Sequence, residues 1–135
     1  MTRGATKAHI VRAALESMAY QTCDVLTAMK NEATLSLTSL RVDGGASANN
    51  FLLQFQSDIL NIPLLRPACV ETTAWGAATL AGLSVGVFAD KAALAREWKS
   101  DRSFSPQMAE NERAALLDGW KRAVERNLRW ADCAE

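Results

Sequence analysis

The residues best placed to do chemistry are Asp43-Gly44-Gly45-Ala46-Ser47, followed directly by Ala48-Asn49-Asn50. Paired glycines let the main chain take positive φ and let a ligand reach the backbone at van der Waals distance. Where such a turn opens a helix, the first amides lack internal acceptors and the dipole adds partial positive charge. That suits a phosphate or a purine edge. The spacing matches neither GxGxxG nor GxxxxGKS/T, so the two common nucleotide fingerprints are absent. A tight structural turn explains the same residues without any ligand. Asp43, beside the glycines, reads as a carboxylate that orders the turn by accepting backbone amides rather than as a catalytic or metal-binding acid.

The elements around this turn define its setting. Leu35-Ser36-Leu37-Thr38-Ser39-Leu40-Arg41-Val42 alternates apolar with polar or small residues and predicts a strand leading into the glycines. A helix from about Ala48 to Leu60 follows, with Leu52, Phe55 and Ile59 on one side, and Pro63 ends it. Ile62 to Arg66 reads as a second strand, closed by Pro67, so a parallel βαβ unit is the expected topology.

Four other segments surround the unit. Thr6 to about Lys30 carries Val11, Leu15, Met18, Val25, Leu26 and Met29 mostly at three- and four-residue steps, an amphipathic helix. Thr73 to about Val85 reads as a helix of small residues, Ala74, Gly76, Ala77, Ala78, Ala81 and Gly82, against which something must pack tightly. Asp90 is a plausible N-cap for a short helix from Lys91 to Trp98, and Lys99 to Gln107 reads as loop. From about Ala109 to Trp130 a last helix places Leu116, Trp120, Val124 and Leu128 on one stripe. Glu110 and Glu112 lie in its first turn, with Arg126 and Arg129 near its end, as the dipole favours. With no strand expected after Arg66, the pattern is part of a domain rather than a whole one, although 135 residues would suffice for one.

Composition removes several function classes. Fifteen basic against fifteen acidic residues give zero net charge, which argues against an electrostatic nucleic-acid partner. No apolar run approaches the roughly 18 residues of a membrane span, and the first residues lack the apolar stretch of a secretory signal. Cys23, Cys69 and Cys133 are odd in number and lack CxxC spacing, and His9 is the single histidine, so neither a metal cluster nor a disulfide framework is expected. A reducing cytoplasm is the expected compartment. His9 reads as a surface or capping residue and Cys23 as a small core residue.

The run Val42-Asp43-Gly44-Gly45-Ala46-Ser47-Ala48-Asn49-Asn50-Phe51-Leu52-Leu53-Gln54-Phe55-Gln56-Ser57-Asp58-Ile59-Leu60 resembles the adenosine motif of the FGGY carbohydrate kinases. Its Gln54-Phe55-Gln56-Ser57-Asp58 stretch is similar to the glycerol-phosphorylating branch. Gly4 to Ile10 with Arg12 to Glu16 and Ala19 to Thr22, Glu71 to Ala78 with Leu80 to Leu83, and Trp120 to Val124 resemble further family segments in the same order. Trp75 stands where relatives usually carry leucine; a larger side chain beside Gly76 in a close-packed helix would incur about 1–3 kcal/mol of strain or need a void.

The resemblance implies an α/β fold: part of an actin-like, ribonuclease H-like ATPase domain, a βαβ unit with several packed helices. Residues 1–135 would be the C-terminal nucleotide-binding segment, an incomplete domain. ATP or ADP is the implied cofactor, with Mg2+ accompanying the nucleotide in the complete enzyme. Gly45 would lie over the adenine or ribose-phosphate region, Asn49 would bond the purine edge, and Gly44 and Ala46 would complete the floor. Asn49 could also cap the helix, and the two roles are compatible. The family's phosphate loop, polyol-binding residues and general base all precede this segment, so no catalytic residue is assigned and the isolated chain is expected to be inactive. Glycerol would be a partner only of the complete enzyme.

Two alternatives stand beside this reading: a stand-alone interaction module derived from the kinase fold, and the same segment of another sugar kinase of the family. Apolar surface left by missing strands would be covered most simply by homo-oligomerisation. Asp90 to Gln107 is the least family-like stretch and reads as a solvated, variable face.

Overall fold

The structure is a computed structural model and describes residues 2–33 and 36–128. The expectations for Leu35, Arg129, Trp130 and Cys133 lie outside those residues.

The expected βαβ unit is present. Strand β1 (Leu40–Arg41) leads through the glycine turn and a 3-10 turn (Gly45–Ala48) into helix α2 (Asn50–Leu60), which returns as β2 (Leu64–Pro67). Helix α1 (Lys7–Ala33) precedes the unit. β1 and β2 run parallel, with Leu40 opposite Leu64 and Arg41 opposite Leu65. Asn61 ends α2 with φ 53° and ψ 39°, the left-handed conformation that turns the chain before Pro63. β1 is shorter than the alternation from Leu35 to Val42 suggests: of its described residues, Leu40 and Arg41 alone pair with β2.

The rest of the chain departs from expectation in three places. Helix α3 (Thr72–Ser84) and helix α4 (Lys91–Glu97) form as foreseen, and Asp90 caps α4 by accepting the Ala93 amide at 2.7 Å. The segment expected as loop after α4, however, contains a third strand, β3 (Ser100–Phe104), antiparallel to β2. Its side chains Ser100, Asp101, Arg102 and Ser103 show no apolar alternation; pairing comes from the backbone, and Phe104 alone is buried, 2% exposed. The sheet is therefore mixed, in order β1-β2-β3, and Asp90 to Gln107 is more than a solvated face.

The second departure is α1. Val11, Met18, Val25 and Met29 of its expected apolar stripe are exposed, and Ala19 and Tyr20 are the buried pair, with Leu15, Cys23 and Leu26 half-buried. A helix of this length carries two apolar faces, and α2 covers one of them. The third is α3: Thr79 is its one buried residue, and a Cβ on Gly76 would meet nothing within 4 Å. Tight approach occurs only at Gly82, where a Cβ would fall 2.7 Å from the Phe88 ring. Trp75 is 46% exposed, so no void or strain accompanies it here.

α2 lies at the centre of the core. On the sheet side Leu53, Leu60, Ile62, Leu64 and Phe104 pack together, with Leu26, Leu40 and Val42 against them. On the other side Phe55 and Ile59 meet Ala19 and Tyr20 and the last helix, α5 (Glu110–Asn127), through Leu116, Leu117 and Trp120. Tyr20 stacks on Trp120 with centroids 5.2 Å apart and meets Phe55 edge-on at 5.6 Å. Trp120 Nε1 donates to Asp24 at 2.8 Å. Cys23 lies half-buried between both clusters, as a small core residue should. No helix among the described residues is long and apolar enough to cross a membrane.

Candidate functional site

Gly44 sits at φ 79° and ψ 172°, a region essentially confined to glycine. Its amide donates to Val70 O at 2.9 Å, and its carbonyl accepts from the Ser47 amide at 3.0 Å and Ser47 Oγ at 2.7 Å. These bonds close the turn around a buried serine. The role expected of Asp43 is thus filled otherwise: no amide among the described residues donates to its carboxylate, which is exposed.

Gly45 and Ala46 are exposed, and neither Gly44 nor Gly45 would bring a Cβ within 4 Å of another atom. The surface over the two glycines is open. Asn49 caps α2: its Oδ1 accepts the Leu52 amide at 3.2 Å, and the Asn49 carbonyl takes the Leu53 amide at 3.1 Å. The Asn49 Nδ2 group has no acceptor among the described residues, nor do the Asn50 and Phe51 amides. Gly44, Gly45, Ala46 and Asn49 therefore come together on one turn, and a cap role for Asn49 coexists with a free amide donor. Ala46 and Ser47 also edge a recess of about 310 Å³ between the turn and α1, lined in part by Met18, Thr22 and Gln56.

A carboxylate cluster for a metal is not found among the described residues. Mg2+ commonly uses one or two protein carboxylates together with substrate phosphates, so a metal brought by a nucleotide needs no such cluster.

Residues that sequence reasoning quoted without a role hold the site's frame. Ser57 Oγ, fully buried, lies 2.9 Å from both the Ile62 and Phe104 carbonyls and so joins α2 to β3. Asp58 Oδ1 accepts from Gln54 Nε2 at 3.1 Å, the Gln107 amide at 2.7 Å and the Met108 amide at 3.3 Å. It fixes the approach to α5. Arg66, an arginine at the end of an otherwise apolar strand, was the available signal for a further tether: its guanidinium bonds Ser47 O, Asn50 Oδ1 and Asp101. At the other end of the chain, Thr6 and His9 form a capping pair in which the Thr6 amide donates to His9 Nδ1 at 3.0 Å.

A family model described as the C-terminal domain of the FGGY family of carbohydrate kinases matches residues 1–85, which include the turn, α2 and α3. The chain belongs to the FGGY family. Among curated FGGY relatives it is 58% identical to the glycerol kinase of Dechloromonas aromatica over 132 residues, 98% of this chain and 26% of that protein. The glycerol kinase of Petrotoga mobilis is 59% identical over 132 residues, again 98% of this chain and 26% of the relative. The chain thus spans about a quarter of the length of these relatives. Among solved FGGY structures, Plasmodium falciparum glycerol kinase with ADP superposes at TM-score 0.81 with 35% identity, over 95% of this chain and 26% of that one. Rhodospirillum rubrum xylulose kinase shares the fold, at TM-score 0.74 and 17% identity over 94% of this chain and 26% of that one. The helix-rich α/β architecture with its small mixed sheet is the corresponding part of these kinases' actin-like fold.

Proposed function

We propose that this chain is the ATP- and ADP-binding C-terminal portion of a glycerol kinase, an enzyme that transfers the γ-phosphate of ATP to glycerol. The observation that carries the reading is the superposition on a glycerol kinase solved with ADP, together with an open Gly44-Gly45 surface in this chain. Gly44 and Gly45 offer bare backbone, Ala46 extends the floor, and Asn49 Nδ2 supplies a donor for a purine nitrogen. Mg2+ would accompany the nucleotide's phosphates and would supply neutralisation of charge on the transferred group. Glycerol, the base that accepts its proton and the phosphate-contacting loops belong to the complete enzyme. A cytoplasmic setting follows from that reading.

Exposed Leu80, Val85 and Val87, at 66%, 76% and 72%, support association with the remainder of a kinase chain or with a second copy. Such association is part of the proposal.

The test is a chimera in which this chain replaces the matching quarter of the Dechloromonas aromatica enzyme, assayed by coupled ADP release. Glycerol-dependent turnover in the chimera, with none from the 135-residue chain alone, is the expected result. Turnover by the isolated chain, or a folded chimera that is inactive, would overturn the assignment.

A further inference from the structure

We propose that Arg66 is a positioning residue for the nucleotide turn, and that Asp101, on a strand beyond the family-matched residues 1–85, holds Arg66 in place. The proposal rests on the nucleotide reading above and names the device that orders that site.

Arg66 reaches across from β2 with its side chain 13% exposed. One edge of the guanidinium is taken by β3: Nε and Nη2 donate to Asp101 Oδ2 at 2.9 and 2.6 Å. The other edge faces the turn, where Nη1 donates to Ser47 O at 3.1 Å and Asn50 Oδ1 at 2.9 Å. The guanidinium carbon lies 5.7 Å from the centroid of buried Phe104, and Ser100 Oγ donates to the Arg66 carbonyl at 3.3 Å. Because guanidinium is planar, fixing one edge fixes the direction of the other, which an ammonium cannot do. Ser47, so held, passes the constraint to Gly44 through its hydroxyl. The order runs from Asp101 to Arg66, to Ser47, to the glycine turn.

Asp101 is the residue skipped where the β2–β3 register shifts, between Ser100 opposite Pro67 and Arg102 opposite Arg66. From that irregular position its carboxylate takes the Arg66 guanidinium. Asp101 is itself 49% exposed, and ion pairs of that exposure add little to global stability. Its effect therefore falls on the order of the turn more than on the melting temperature. Asp58 provides the contrast, since it tethers the neighbouring residues Gln107 and Met108 to α2 without touching the turn.

Amide hydrogen exchange of residues 44–50 and ADP titration by amide chemical shift, both on the 135-residue chain, test the proposal. In Asp101→Asn and Asn50→Ala, faster exchange in the turn and an ADP dissociation constant raised about tenfold are expected, the scale of one charge-assisted hydrogen bond. Arg66→Lys should behave like Asp101→Asn, because it keeps the charge and loses the fork. Asp58→Ala, which removes the oxygen shared by Gln54, Gln107 and Met108, should lower the melting temperature at least as much while leaving turn exchange and ADP affinity unchanged. Unchanged turn exchange in Asp101→Asn, or equal loosening in Asp58→Ala, would overturn the positioning role. If the unsubstituted chain shows no ADP shift, the nucleotide reading fails, while the exchange rates still decide whether the tether orders the turn.

Discussion

Alanine at Gly44 and alanine at Gly45 should move stability in opposite directions, although the residues are adjacent and neither Cβ would touch another atom within 4 Å. Gly44 occupies φ 79° and ψ 172°, where a side chain costs about 1–3 kcal/mol in backbone strain. Alanine also restricts the unfolded chain, returning about 0.4–1 kcal/mol. The net loss for Gly44→Ala is then about 0–2.6 kcal/mol with its centre at about 1.3, or a melting temperature lower by about 5 °C at the centre for a chain of this size. Gly45 is not among the positive-φ residues, so Gly45→Ala keeps only the unfolded-state gain and should raise the midpoint by about 1–4 °C. Yet its Cβ projects into the surface assigned to nucleotide, and ADP affinity should fall by about tenfold or more. Thermal unfolding followed by circular dichroism, beside ADP titration of each variant, reads both effects. A Gly44→Ala chain as stable as the parent, or a Gly45→Ala chain destabilised by several degrees, would refute the backbone argument.

Three further outcomes follow from the packing. Asp58→Ala removes the acceptor for Gln54 Nε2 and the Gln107 and Met108 amides and should cost about 1.5–3 kcal/mol, measured by urea unfolding; a loss below 0.5 kcal/mol would count against the tether. Burial, with the charge of Glu16 adding and Arg12 opposing, raises the Tyr20 phenol above its ordinary 10.0. Since the folded value is the higher, this contribution is complete below about pH 10 and is lost as pH climbs towards the folded value. Melting curves across that range should therefore fall more steeply for the parent than for Tyr20→Phe, and parallel curves would contradict the assignment. Trp75→Leu should change stability by less than about 0.5 kcal/mol, because the indole is 46% exposed and crowds nothing at Gly76; a gain of 1 kcal/mol or more would show strain after all.

The βαβ unit was legible because its signals are local: alternation before the glycines, Pro63 after the helix, and the cap at Asn49. Asp90 and the acidic first turn of α5, Glu110 and Glu112, were legible for the same reason. β3 was not, since Ser100-Asp101-Arg102-Ser103 shows no period and becomes a strand only through pairing with Leu65, Arg66 and Pro67. The packing face of α1 is not legible in the sequence, because a helix with apolar residues on two sides does not say which side is covered. For α3, a small-residue pattern records close approach without naming the partner, and nothing in the described residues meets Gly76. In the candidate site, the motif groups Gly44, Gly45, Ala46 and Asn49 on one turn, and the structure has them there. The motif does not show the clamps Arg66, Ser57 and Asp58, because each acts across 35 to 50 residues of chain: Arg66 on Asp101, Ser57 on Phe104, Asp58 on Met108.

Asn49→Asp decides whether this turn binds an adenine nucleotide. Aspartate retains an oxygen for the Leu52 amide and ranks with asparagine as an N-cap, so stability should hold within about 0.5 kcal/mol. What it lacks is the Nδ2 donor. Calorimetric titration with ADP should show binding to the parent chain and an affinity about tenfold weaker for Asn49→Asp. Equal affinity in the two chains would exclude Asn49 as a nucleotide contact, and no binding to the parent would exclude the turn as a nucleotide site.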